Sequence, residues 1–222
     1  MNRIVLHHCP QTRSMRSLWL LYELNVPFEL VEHAFDKSLR APAYLVVSPA
    51  GRVPALEIEG ARMFETGAIT EYLCERFPDA GLGREAGHAE RMEWLVWVHF
   101  AETISQHVAA LTQQHIVLRD DIMRSPAVMK LEAARLSKCY DAIEARLNEP
   151  RDTLLDAGFS AADISVGQAM YLALKFCTLE QHPKTAAWFK RLQARDAFQK
   201  SLPDADSLLY TQNFYAPWNM PE

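Results

Sequence analysis

Apolar and polar positions follow two periods along the first eighty residues and only one thereafter. Ile4-Val5-Leu6 is a short apolar run closed by His7-His8 and Cys9-Pro10, which predicts a buried strand. From about Ser14 the spacing turns helical, with Met15, Leu18, Trp19 and Tyr22 on one side. Asn25-Val26-Pro27 ends that helix, because a residue before proline avoids the α region. Phe28 to His33 alternates apolar and polar and predicts a second strand. An irregular or helical stretch runs from Lys37 to about Val47. Ser48-Pro49-Ala50-Gly51 reads as a turn, Ala55 to Ile58 as a strand, and Arg62-Met63-Phe64 as its hairpin partner across Glu59-Gly60. Gly67 to Phe77 is helical again, with Ile69, Tyr72 and Leu73 inward. The order β-α-β-α-β-β-α implies a parallel pair and a later antiparallel edge.

Pro78 to Gly87 carries three of the chain's eight glycines and reads as a linker. No strand is expected beyond it. His88 to about Thr112 is one long helix with a stripe of Met92, Leu95, Val96 and His99. Trp94, Trp97 and Phe100 widen its apolar surface, so it should be covered on more than one side, by other helices or a second chain. Val128 to Leu147, Ala161 to Phe176 and Lys184 to Ala194 predict three more helices. Ser160 and Asp163 fit a capping box at the start of the second of these, a structural feature worth about 1 kcal/mol. The expected domains are therefore an α/β unit over residues 1–79, a linker over 80–87 and an all-α unit over 88–222. The tail from Asp204 is aromatic but without period.

Composition narrows the function by exclusion. The 222 residues are 49% hydrophobic and 23% charged, an ordinary globular balance. A net charge of −5 with scattered Lys and Arg argues against nucleic-acid binding and against a polybasic membrane patch. No apolar run near the start reads as a secretory signal or is long enough to span a bilayer. Cys9, Cys74, Cys139 and Cys177 form no zinc pattern, so no metal is expected and a reducing, cytoplasmic setting is the simpler reading.

Ser48-Pro49-x-Gly51-Arg52-Val53-Pro54-Ala55-Leu56, followed by Phe64-Glu65-Thr66-x-x-Ile69-x-x-Tyr72-Leu73, resembles the glutathione-binding core of cytosolic glutathione S-transferases. Arg16 to Leu24 resembles the first helix of many bacterial members, and Phe159 to Ile164 the capping box of that family's helical domain. The resemblance implies a thioredoxin-like N-terminal domain followed by a helical-bundle C-terminal domain. It implies a cis bond at Val53-Pro54, an isomer found in about 5–6% of X-Pro bonds, that leaves the Val53 backbone free to pair with the cysteinyl part of glutathione. It further implies Glu65 and Thr66 for the γ-glutamyl group at a helix N-terminus, Arg52 for the glycyl carboxylate with Lys37 and Arg40 behind it, and a homodimer.

The implied chemistry needs a group that stabilises the thiolate, since free thiols ionise near pH 8.5. His7-His8 occupy the position where some classes carry a tyrosine. Counting back from Arg16, Thr12 falls where serine-type transferases place their hydroxyl. Ser14 is an alternative that also suits a helix N-cap, and Cys9, in Cys9-Pro10-Gln11-Thr12, is a third. Trp97 and Phe100, with Trp94 and His99, are candidate walls for an electrophile pocket, and Phe214, Tyr215 and Trp218 a candidate cover. The function expected is conjugation of glutathione to a small hydrophobic electrophile. Thiol-disulfide exchange through Cys9, and a catalytically weak binding or interaction module, are the alternatives.

Overall fold

The computed structural model describes residues 3–148 and 151–215. Its N-terminal part is a four-stranded sheet in the order β2-β1-β3-β4, built from β1 (Ile4–His8), β2 (Glu29–Glu32), β3 (Ala55–Ile58) and β4 (Ala61–Phe64). β1 runs parallel to β2 and antiparallel to β3, and β4 closes the hairpin. The first strand is longer than its apolar run, because His7 and His8 stay in it and are buried. Both rings find hydrogen-bond partners there. His7 Nδ1 meets His33 Nε2 at 2.9 Å and His7 Nε2 meets Glu57 Oε1 at 3.1 Å, while His8 Nδ1 meets Ser14 Oγ at 2.8 Å. Buried polar groups persist where they are paired in this way.

Ile4, Leu6, Leu56 and Ile58 pack into one core with α1 (Met15–Leu24) and α3 (Thr66–Arg76). A 3₁₀ turn at Lys37–Arg40 leads into the short α2 (Pro42–Leu45), whose Tyr44 packs edge-on against His7 and His33. The Ser48–Gly51 turn is closed by Gly51 N–H donating to Ser48 O at 2.8 Å. Gly51 has φ +61°, and a Cβ there would meet Leu39 O at 2.9 Å, so only glycine suits it.

The remainder is helical: α4 (Arg91–Thr112), a π-helical turn at Gln113–Val117, α5 (Pro126–Arg146), α6 (Ala161–Ala173), α7 (Pro183–Gln193) and the five-residue α8 (Asp196–Lys200). α6 is buried along almost its whole length and forms the centre of the domain. Its capping box is present, and Asp163 does more than cap: its Oδ1 also accepts from Leu154 N–H at 2.9 Å and Trp188 Nε1–H at 3.0 Å.

The stripe on α4, expected to be covered, is partly outward. Met92 is 78% and Val96 56% exposed, while Trp94, Trp97, Val98 and Ala101 turn inward. The linker is fixed by its backbone. Leu82 O accepts from Trp94 Nε1–H at 3.0 Å and from Ala161 N–H at 2.9 Å, so it is tied to both α4 and α6.

The two parts meet along α1. A Cβ on Gly167 of α6 would lie 2.6 Å from Leu192 Cδ1 and 3.2 Å from the Trp19 ring, so glycine is what allows this approach. Arg195 donates two bonds to Glu23 at 2.6 and 2.7 Å and stacks on Phe159 at 3.6 Å.

Candidate functional site

The sheet register gathers the predicted motifs at one edge. Ala55 opposes His7 and Phe64 opposes Ala55. The C-terminal end of β1, the N-terminal end of β3 and the C-terminal end of β4 therefore lie side by side. Those ends carry, in turn, the Cys9–Ser14 loop, Arg52-Val53-Pro54 and Glu65-Thr66, and α1 and α3 both begin there. The Val53-Pro54 bond is cis, as the resemblance implied. No hydrogen bond among the described residues engages the Val53 N–H or C=O, which leaves both available to an extended ligand.

The loop ahead of α1 holds a chain of short hydrogen bonds. Thr12 Oγ1 lies 2.8 Å from Cys9 O and 2.9 Å from Ser14 Oγ, and Ser14 Oγ lies 2.8 Å from His8 Nδ1 and 3.2 Å from Cys9 O. Cys9 N–H donates to Ser14 Oγ at 3.1 Å. Ser14 occupies the N-cap position of α1, but in a helical conformation and with no side-chain cap, because its hydroxyl is committed to this chain. Ser14 is fully buried and Cys9 nearly so, whereas Thr12 is half-buried. Burial pushes the Cys9 thiol up to about 11, and Asp36 and Glu32 add to the rise. That is the opposite of an activated cysteine. Burial also lowers His8 to about 4, against the bond from Ser14, so its ring is neutral at neutral pH.

At the other end, Thr66 is the first residue of α3 rather than its N-cap, and Glu65 takes the cap position. Glu65 is exposed and has φ +77°, a conformation that costs a non-glycine residue on the order of 1–3 kcal/mol and that clusters at functional sites. Thr66 is buried at the helix start, where free amides favour an anion. Arg52 is exposed and forms no ion pair among the described residues, nor do Lys37 and Arg40. The Arg52 backbone is held by Tyr44 O–H donating to its carbonyl at 2.9 Å.

The helical domain reaches this loop through residues that sequence reasoning did not single out. Glu102 of α4 accepts from Arg13 at 2.9 Å and from Arg16 at 2.5 Å, and Ser105 accepts from Arg16 at 3.2 Å. Gln11, at φ +55° and buried, donates to Tyr171 Oη at 3.2 Å and accepts from Tyr210 N–H at 2.7 Å. Gln168 donates to Thr12 O at 3.4 Å. The positive φ of Gln11 gives no signal in sequence, and polar residues one helical turn apart on α4 and α6 look like ordinary surface.

Trp97 and Phe100, expected as pocket walls, pack edge-to-face at 5.3 Å, with Trp97 in the core and Phe100 partly buried against it. Phe100 lies two turns from His107, which faces Glu132 of α5 at 2.6 Å, whereas Glu102 and Ser105 share the face toward α1. In the tail, Phe214 stacks on Phe176 with centroids 5.7 Å apart, and Tyr215 O–H donates to Leu174 O at 2.8 Å. Trp218 lies outside the described residues.

A mixed sheet with a cis-proline strand entrance, followed by a helical bundle, defines a thioredoxin-like domain joined to an all-α domain. Residues 1–75 match the family described as glutathione S-transferase, N-terminal domain. A glutathione S-transferase of Silene vulgaris is 30% identical over 210 residues, covering 90% of this chain and 96% of that protein. Among solved structures, glutathione transferase F7 from Populus trichocarpa matches with a TM-score of 0.78 and 27% identity over 92% of this chain and 98% of its own. Glutathione transferase URE2P6 from Phanerochaete chrysosporium, solved with oxidized glutathione, shares the fold with a TM-score of 0.80 at 23% identity, over 90% of this chain and 94% of its own. The chain belongs to the glutathione S-transferase family and is an enzyme of that class.

Proposed function

We propose that this enzyme binds glutathione across the strand-end edge and conjugates its thiolate to a small hydrophobic electrophile, with the Thr12 hydroxyl donating to the sulfur. The observation that carries the assignment is the difference in burial within the loop. Thr12 offers a half-buried hydroxyl, Ser14 is sealed behind it, and the Cys9 thiol is buried and protonated. In this reading the Val53 N–H and C=O pair with the cysteinyl unit. Glu65 takes the γ-glutamyl ammonium, Thr66 its carboxylate, and Arg52 the glycyl carboxylate. The N-terminus of α1 adds positive potential at the thiolate.

A detoxifying role in the cytoplasm fits this chemistry, and the described helices include none long and apolar enough to cross a membrane. The exposed Phe64 at the end of β4 and Met92 and Val96 on α4 suit a homodimer interface. The test is steady-state conjugation with an aryl halide and reduced glutathione. Thr12→Ala loses a hydrogen bond to a charged atom, worth about 1.5–3 kcal/mol, so kcat/KM falls roughly 10- to 100-fold. An unchanged kcat/KM in Thr12→Ala refutes the assignment.

A further inference from the structure

We propose that His8 is a positioning residue that takes up the proton leaving the glutathione thiol, by way of Thr12 and Ser14. The inference rests on the reading of Thr12 given above. The chain of contacts is continuous, with 2.9 Å between the two hydroxyl oxygens and 2.8 Å from Ser14 Oγ to His8 Nδ1. It runs inward, from half-buried Thr12 through fully buried Ser14 to a buried imidazole. Ser14 Oγ already accepts from Cys9 N–H. Its own proton can turn to His8 Nδ1 or to Cys9 O, and the imidazole is nearer by 2.8 against 3.2 Å.

The transfer is balanced by these groups alone. The S–H bond breaks and its proton goes to Thr12 Oγ1, the Thr12 proton goes to Ser14 Oγ, and the Ser14 proton goes to His8 Nδ1. Both hydroxyls end neutral, each with its O–H turned toward the sulfur side. Negative charge rests on sulfur and positive charge on the ring. A hydroxyl cannot keep a thiol's proton, whereas the imidazole at the inner end of the chain is a base that can take it once a negative charge nearby offsets its burial. Burial keeps the resting ring neutral, and in its Nε2–H tautomer Nδ1 is the nitrogen that accepts from Ser14. A thiolate two hydroxyls away works against that burial. The other groups facing His8 come from the β2 side. Glu32 stands opposite it in the parallel register, and His33, itself bonded to His7 and lowered by burial, disfavours a second charge nearby.

The experiment counts protons. Binding of reduced glutathione is followed by calorimetry in buffers of different ionisation enthalpy, giving protons released, and by ultraviolet absorbance, giving thiolate formed. The wild-type protein is expected to form thiolate while releasing well under half a proton for each one. His8→Gln keeps a group able to bond Ser14 but unable to hold a proton. Release should rise toward one proton per thiolate, or the thiolate should be lost. Ser14→Ala, which cuts the chain with His8 in place, should behave alike and serves if His8→Gln does not fold. A full proton released by the wild type, or a His8→Gln protein with wild-type thiolate and wild-type proton count, overturns the proposal. Thr12→Ala separates the two readings. If it keeps full thiolate, the Thr12 assignment fails and this inference with it. If it loses thiolate while the wild type releases a full proton, only the role of His8 fails.

Discussion

Replacing Glu102 with leucine tests what holds the active loop against the helical domain. Arg16 is completely buried, and its guanidinium is paired with Glu102 at 2.5 Å and Ser105 at 3.2 Å. Burial opposes the charge on both partners. At Arg16 it outweighs the attraction, while at Glu102 the attraction of Arg16 and Arg13 outweighs burial and holds the carboxyl below its usual range. A pair of this kind adds little net stability, yet removing one partner strands the other, typically at about 3–5 kcal/mol. Glu102 is 36% exposed, so water screens part of the loss and the lower end, about 3 kcal/mol, applies. With a urea m-value of roughly 3 kcal/mol per molar for a chain of this size, the unfolding midpoint should fall by about 1 M. Arg16→Met combined with Glu102→Leu should recover most of that loss, because the buried charge has gone too. A midpoint within about 0.2 M of wild type for Glu102→Leu, or a double variant no better than the single, would refute the reasoning.

Three further outcomes follow from the same geometry. Gly167→Ala places a methyl 2.6 Å from Leu192 Cδ1 and should cost about 1–3 kcal/mol by urea unfolding, whereas a neutral effect would mean that the Leu192 side chain on α7 and the Trp19 ring on α1 give way freely. His8 is lowered from 6.5 to about 4 in the folded protein, so between these values the unfolded chain holds a proton that the folded one does not. Stability should therefore fall as pH drops from about 6.5 to about 4, by on the order of 3 kcal/mol from this group. The gap between wild type and His8→Gln should narrow by that amount in urea midpoints taken across the window, and a constant gap would contradict it. Cys9→Ala should leave the conjugation rate within about twofold, since a buried thiol at about 11 is no nucleophile, and a collapse in rate would restore exchange through Cys9.

The sheet and the long helices were legible because their periods are set by burial on one face. The motif segments were legible because Gly51, Pro54 and Thr66 sit at fixed strand and helix ends. Strand β1 extends past its apolar run, since hydropathy treats His7 and His8 as polar ends and carries no trace of the partners His33, Glu57 and Ser14 that make their burial tolerable. Met92 and Val96 belong to a stripe that is not wholly covered, for a related reason. Helical spacing shows which residues share a face, not which face meets α6. The loop's support from Gln11, Glu102, Gln168 and Tyr210 was hidden because those bonds span long sequence separations. Helix α8 is too short to carry a period.

The central claim is that a hydroxyl at Thr12 activates a glutathione thiol bound at the strand-end edge. Calorimetric binding of reduced glutathione, followed by pH titration of the bound thiol's ultraviolet absorbance in wild type and Thr12→Ala, tests it most directly. Both proteins should bind saturably, with a wild-type thiol pKa well below about 8.5 and a rise of roughly one to two units in Thr12→Ala. Binding with an unperturbed thiol in the wild type, or the same low pKa in both proteins, would contradict it.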